Sequence, residues 1–206
     1  RSGDGRTNKN DVEAGNTYDN AVIENTKIFE NNKIQNNKIQ NNQSMLDDIM
    51  NSTQYPKQLK DLALKNEEAL EFVYDYPAEH VKEHTIDLTK EASMDSVPLF
   101  VQWDKRWGYE KYSGNFFAAS GCGPTTLSMV VVYLTHNREA SPIAVAKYSK
   151  EAGYSVDGSG SSWTLISEGC MHYGVKAKTV ALDESRMKAE LDEGHPIVVN
   201  VGPGDF

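Results

Sequence analysis

Apolar positions divide the chain into three stretches of different pattern. Residues 1–43 are almost all polar, and their few apolar side chains, such as Phe29, Ile34 and Ile39, recur about every five residues. That spacing fits neither the stripe of a helix nor the alternation of a strand. The pattern predicts a polar, Asn-rich spacer over residues 1–43, ordered only where something packs on it. A docking or tethering helix is the alternative.

Residues 44–95 carry apolar side chains at helical spacing. Leu59, Leu62 and Ala63 recur along one side of a predicted helix, and Asn66 stands where it can cap the next one. We therefore predict a helical lead-in over residues 44–95 that packs on the segment after it.

From residue 96 the pattern becomes that of a mixed globular domain. Ser141, with Pro at the next position, predicts the start of one helix, and Asp183 can cap another. Residues 175–180 alternate as a half-buried strand does, and residues 197–201 form an apolar run typical of a buried strand. Helices followed by strands indicate an α+β domain over residues 96–206.

Charge and composition narrow the possible functions. A formal net charge of −9 excludes a general nucleic-acid binder, because neutralising phosphates requires clustered Lys and Arg. No apolar run approaches the roughly 18 residues of a membrane helix, so we predict no membrane span in this chain. Two cysteines, Cys122 and Cys170, are too few for a disulfide framework, although one bridge between them is compatible with the sequence.

The segment around Cys122 carries the candidate chemistry. Gly121, Cys122, Gly123 and a proline precede an apolar run over residues 127–134, which predicts a buried helix capped by Ser120 or a neighbour. A thiol at a helix N-terminus faces unpaired N–H groups and the positive end of the dipole, which favour the thiolate. The glycines would let a substrate carbonyl approach, and the Cys122 N–H could donate to an oxyanion. A buried, inert cysteine is the alternative that the residues alone leave open.

Four motifs resemble the signature of the bacterial papain-like cysteine peptidases related to the double-glycine (bacteriocin) leader peptidases. They cover residues 97–109, 120–125, 160–163 and 202–206. The resemblance implies a papain-like α+β fold with an N-terminal helical extension, acting on a peptide or protein substrate without metal or cofactor. It implies Cys122 as the nucleophile, Gln102 as an oxyanion-hole amide, and Trp163 on a loop that borders the cleft. Residues 55–56 and 66–77 resemble the helical segment that precedes such domains in secreted or cell-envelope proteins of Gram-positive bacteria.

A cysteine nucleophile also needs a general base, normally a His oriented by Asn or Asp. In the family that His follows a Gly-Asp-Phe motif, which here occupies residues 204–206. We therefore expect the catalytic His, and the remaining C-terminal strands, on a segment beyond Phe206. No histidine of this chain matches the family position, so we expect a structural or exposed role for each, namely His80, His84, His136, His172 and His195. Cys170 is expected in the core.

Two other functions stay open beside a cysteine peptidase. The same thiol could cleave cell-wall peptide crosslinks or transfer the acyl group instead of hydrolysing it. A non-catalytic peptide-binding module that has kept the cleft is the second possibility. The presence of Cys122 and Gln102 argues against such a module, whereas the lack of a matching base within the chain favours it.

Overall fold

The computed structural model describes residues 9–202 of the chain, and this part belongs to two compact units. The first unit ends at Asp48 and the second begins at Ile49. Among the described helices, none combines the length and apolarity that crossing a bilayer requires.

A single long helix, α1 (Lys9–Asn51), takes up the described part of the predicted spacer and continues past residue 43. The described part of the spacer is therefore helical, as the alternative prediction of a docking or tethering helix requires. Phe29, Ile34 and Ile39 are all exposed on this helix. Residues five apart are separated by about 140° around a helix, so these apolar side chains form no single stripe. A docking or tethering role for α1 remains a prediction.

Short helices make up the start of the second unit, as predicted for the lead-in. They are α2 (Lys57–Lys65), a 3₁₀ turn (Glu67–Ala69), α3 (Leu70–Tyr74), α4 (Tyr76–Glu79) and α5 (Thr89–Ala92). The predicted cap is confirmed, because Asn66 Oδ1 accepts the Glu68 N–H at 3.0 Å.

The lead-in packs directly on the residues that follow it. The rings of Phe72 and Tyr109 stack with centroids 4.2 Å apart, and the Tyr109 hydroxyl donates to Phe72 O at 2.8 Å. Nearby, Lys105 Nζ lies 2.6 Å from Asp75 Oδ2. These contacts place residues on both sides of the predicted boundary at 95 in the same compact unit.

Five further helices and two small hairpins complete the described part of the second unit. The helices are α6 (Phe117–Ser120), α7 (Cys122–Thr135), α8 (Pro142–Glu151), α9 (Thr164–Ser167) and α10 (Glu184–Asp192), with a 3₁₀ turn at Gly169–Tyr173. Antiparallel pairs join β1 (Lys111–Tyr112) to β2 (Asn115–Phe116), and β3 (Ser155–Val156) to β4 (Gly160–Ser161).

Helix α7 lies at the centre of the core. Leu127, Val131 and Val132 on this helix are buried, and α8 packs against it. The predicted helix starts are confirmed for α8 and α10. Ser141 Oγ accepts the backbone N–H three residues later at 3.3 Å, and Asp183 Oδ1 makes the equivalent bond at 3.0 Å.

The strands predicted at residues 175–180 and 197–201 do not form. Neither segment pairs with another strand within residues 9–202, where the two hairpins are the sheets present. Of their side chains Val175 is buried, while Val199 and Val201 are exposed. A strand requires a neighbour that completes its hydrogen-bond ladder, so an apolar pattern without such a neighbour produces only extended chain. The described fold is thus helix-rich with small sheets, in agreement with an α+β class in the broad sense.

Candidate functional site

The thiol of Cys122 lies at the very start of α7 and is exposed. No side chain caps this helix, because Ser120 Oγ instead lies 2.8 Å from Tyr112 O and 3.0 Å from Phe116 O. The predicted cap by Ser120 or a neighbour is therefore wrong, since the N-cap position is Gly121 and no side chain bonds there. The first N–H groups of a helix have no carbonyl partner within it, and such groups commonly hold an anionic acceptor at a helix N-terminus.

The glycines beside Cys122 allow close packing of neighbouring side chains. A side chain at Gly121 would bring its Cβ within 2.5 Å of Cε1 of the buried Phe117 ring. At Gly123 it would come within 2.9 Å of both Cβ and Oγ of Ser161. A residue with a Cβ at either position would therefore collide with a neighbouring side chain. The expected approach of a substrate carbonyl to the sulfur remains a prediction.

Hydroxyl groups join hairpin β3–β4 to β1 and to the residue that follows it. Tyr112 OH lies 2.6 Å from Ser161 Oγ and 2.7 Å from Ser149 Oγ, which links β1, β4 and α8. Ser113 Oγ donates to Gly160 O at 2.7 Å. Two features require glycine at position 160. Its φ is +89°, which side chains with a Cβ rarely adopt, and a Cβ there would lie 2.9 Å from the Ser120 carbonyl oxygen. The motif at residues 160–163 had marked this hairpin in the sequence as part of the family resemblance. No pattern in the sequence pointed to Tyr112 or Ser149.

Gln102 contacts the helix that leads into Cys122. Its Nε2 donates to Ala118 O in α6 at 2.7 Å. This bond uses one of the two hydrogens of the amide nitrogen and leaves the other for a further acceptor. The bond to Ala118 therefore holds the Gln102 amide in place. The oxyanion role of this amide remains a prediction.

The three tryptophans occupy different environments. Trp107 is buried, and its Nε1 donates to Val101 O at 2.8 Å. Trp103 is half-buried, whereas Trp163 is 54% exposed. Trp163 lies between Ser161 and Leu165, both of which contact the Cβ position of Gly123. An exposed indole thus stands on the segment that packs over the start of α7.

All five histidines of the chain lie in its described part, and each has a partner other than Cys122. His80 and His84 bond to the carbonyls of Tyr76 and Glu79, His136 to that of Ala92, His172 stacks on Tyr148, and His195 bonds to the Glu190 carboxylate. Within residues 9–202 no hydrogen bond or ion pair joins a histidine to Cys122. The described residues therefore place no histidine in hydrogen-bond contact with the thiol.

Cys170 is buried in the core, as predicted. Burial raises the pKa of this thiol above its ordinary value, which makes it a poor nucleophile at neutral pH. Both cysteines are free, so no bridge joins them. The two thiols differ in exposure, and chemical modification can distinguish them.

Comparison with known proteins finds a family model that matches the larger part of the second unit, without its first helices. The Peptidase_C39 like family matches residues 94–206, a segment that includes Gln102, Cys122 and both hairpins. No curated protein and no solved structure matches the chain.

Proposed function

Because the chain belongs to the Peptidase_C39 like family, we propose that it is a cysteine peptidase with Cys122 as its nucleophile. The observation that carries this proposal is an exposed thiol on the first residue of α7, a helix that no side chain caps. A sulfur at that position lies beside the first N–H groups of the helix, which are the kind of donor that can hold the oxyanion of an attacked carbonyl.

In the proposed reaction the Cys122 thiolate attacks the carbonyl carbon of a peptide bond. The carbonyl oxygen becomes an oxyanion, held by the Cys122 N–H and by the amide of Gln102. Cleavage of the C–N bond releases the amine, which takes its proton from an imidazolium. Water then attacks the thioester, returns a proton to the imidazole and frees the carboxylate product together with the thiolate.

The proposal takes its general base from the family resemblance, which puts a His on a segment after the Gly-Asp-Phe motif at residues 204–206. The histidines of residues 9–202 support this assignment indirectly, because each is bonded or stacked elsewhere. The proposed papain-like fold also rests on the family resemblance.

The proposed location, in the envelope of a Gram-positive cell or outside it, rests on the same resemblance. Fractionation of the producing cell would test this location.

Selective alkylation tests the nucleophile before any substrate is known. We expect iodoacetamide at pH 6 to modify Cys122 rapidly and Cys170 hardly at all, as followed by intact mass and peptide mapping. Cys122→Ser should remove the fast reaction and all peptide hydrolysis while the melting temperature stays nearly unchanged. Cys170→Ser is the matched control and should keep the fast reaction. If both thiols stay inert in the wild-type protein, Cys122 is not an activated nucleophile.

One observation favours a second candidate, a peptide-binding module without catalysis, since no histidine in the described residues is bonded to the thiol. Such a module would bind peptides equally well with Cys122→Ser and would leave them intact. The third possibility, transfer of the acyl group from a cell-wall peptide, predicts an amide product when an amine is added. Mass analysis of a peptide incubated with and without an amine therefore separates the three functions.

A further inference from the structure

Tyr112 binds the strand that packs beside Cys122. Its side chain is 4% exposed, and the hydroxyl lies 2.6 Å from Ser161 Oγ in β4 and 2.7 Å from Ser149 Oγ in α8. Ser149 is itself fully buried. The phenol can donate to one of these oxygens while it accepts from the other, so it ties β4 to α8.

Strand β4 contacts the chain on both sides of Cys122. On one side Ser161 lies against Gly123, where a Cβ would come within 2.9 Å of the serine Cβ and Oγ. On the other side Gly160 approaches Ser120 so closely that a Cβ at position 160 would lie 2.9 Å from the Ser120 carbonyl oxygen. The same strand therefore limits the movement of the residue two positions before Cys122 and of the residue after it.

Tyr112 is bonded at both of these sides. Its hydroxyl bonds to Ser161, and its main-chain oxygen accepts the Ser120 hydroxyl at 2.8 Å. The peptide unit that carries the Cys122 N–H lies between residues 120 and 123 in the chain. The orientation of this N–H therefore depends on how those two residues are held.

We propose that Tyr112 is a positioning residue for the oxyanion-binding N–H of Cys122. Its hydroxyl keeps β4 beside the start of α7, which fixes the direction in which this N–H points. A donor with a fixed direction stabilises an oxyanion better, because it need not reorient while the charge develops. The role requires no contact between Tyr112 and the substrate, and no proton moves to or from the phenol. The inference rests on the proposed function, since it assigns a support to one donor of that reaction.

Two reactions of the same thiol in the full chain test this role. With p-nitrophenyl acetate the sulfur bonds to the carbonyl carbon, an oxyanion forms, and p-nitrophenolate leaves as the C–O bond breaks. Iodoacetamide alkylates the same thiolate by displacement of iodide, without an oxyanion. The ratio of the two rates therefore reports the oxyanion donors and not the amount of thiolate. Absorbance of p-nitrophenolate in a single turnover gives the acetylation rate, and peptide mapping assigns both products to Cys122.

We expect Tyr112→Phe to slow acetylation about three- to tenfold and to change alkylation by less than about twofold. Misdirecting a donor should cost less than the hundredfold or more that follows its removal. Ser161→Ala removes the other half of the same bond and should lower the ratio similarly, and the double variant should add little, since one interaction is lost. Tyr109→Phe is the matched control, because its phenol bonds to Phe72 O at 2.8 Å, in the lead-in. Its ratio should equal that of the wild type.

A purely structural role for the Tyr112 hydroxyl predicts other results. With a reactive wild-type thiol, an unchanged ratio in Tyr112→Phe overturns the inference alone. Equal slowing of both reactions also overturns it, because the hydroxyl would then support the fold and not the oxyanion donor. If Tyr112→Phe does not fold, Ser161→Ala gives the same test. A wild-type thiol inert to both reagents overturns the proposed function together with the inference.

Discussion

Ser161 occupies the space in which any residue other than glycine at position 123 would carry its Cβ. The closest approach, 2.9 Å to Cβ and Oγ of Ser161, is shorter than real Cβ contacts, so the hairpin would have to move. Ser161 is in turn bonded to Tyr112, 49 residues away in the chain. The position of the thiol at the start of α7 therefore depends on a contact between remote segments.

Gly123→Ala should destabilise the protein by about 1–3 kcal/mol, because the added methyl group overpacks the contact with Ser161. It should also slow the alkylation of Cys122. Adding Ser161→Gly should recover part of both losses, since it empties the space that the methyl group needs. Gly202→Ala is the control, because nothing lies within 4 Å of that Cβ position. Denaturant unfolding and alkylation rates measure the effects, and equal losses in the single and double variants would contradict the contact.

Gln102→Ala should lower kcat about a hundredfold and leave KM nearly unchanged, as expected for a donor that acts on the oxyanion. Steady-state kinetics on a cleaved peptide would measure both constants. Gln102→Glu has the same size, but its carboxylate would repel both the Ala118 carbonyl and an oxyanion, so we expect at least the same loss. A loss below threefold in Gln102→Ala would restrict Gln102 to its structural bond with Ala118.

Phe72→Ala should destabilise the second unit as a whole, by about 3–5 kcal/mol, because it leaves a cavity beneath Tyr109. The ring also fills the space beside Gly108, where a Cβ would lie 2.6 Å from Phe72 Cε2. We expect one unfolding transition for the lead-in and the residues after it, monitored by both circular dichroism and tryptophan fluorescence. Leu64→Ala, on an exposed position of α2, should cost less than about 1 kcal/mol. Separate transitions for the two probes would show that the lead-in folds independently.

Tyr173 should make stability fall at alkaline pH. Burial, with a smaller contribution from the nearby Tyr148, raises the pKa of Tyr173 from its ordinary 10.0 to about 12. Between these values the unfolded chain loses the phenolic proton while the folded chain keeps it, so the folded state is progressively disfavoured as pH rises. Below pH 10 the full contribution is present. Tyr173→Phe removes the titrating hydroxyl and should flatten the decline between pH 10 and 12 in denaturant unfolding. An unchanged slope would contradict the assignment.

Local sequence determined the features whose energies arise within a few residues. Ser141 and Asp183 start their helices because each side-chain oxygen accepts an N–H three residues ahead. The burial of Cys170 likewise follows from the preference of a free cysteine for apolar surroundings. The start of α7 at Cys122 was predictable from the glycine and proline around it and the apolar run that follows.

The tertiary structure decided whatever depends on a remote partner. Whether residues 175–180 become a strand depends on a neighbouring strand, which their own alternation cannot supply. The bonds of Ser120 to main-chain carbonyls, the filling of the Gly123 position by Ser161 and the bond of Tyr112 to Ser161 all depend on which segments meet at the start of α7. Hydrophobic patterning specifies which face of an element is buried, but not which side chains it meets, because burial is non-directional whereas these contacts require particular atoms within bonding distance.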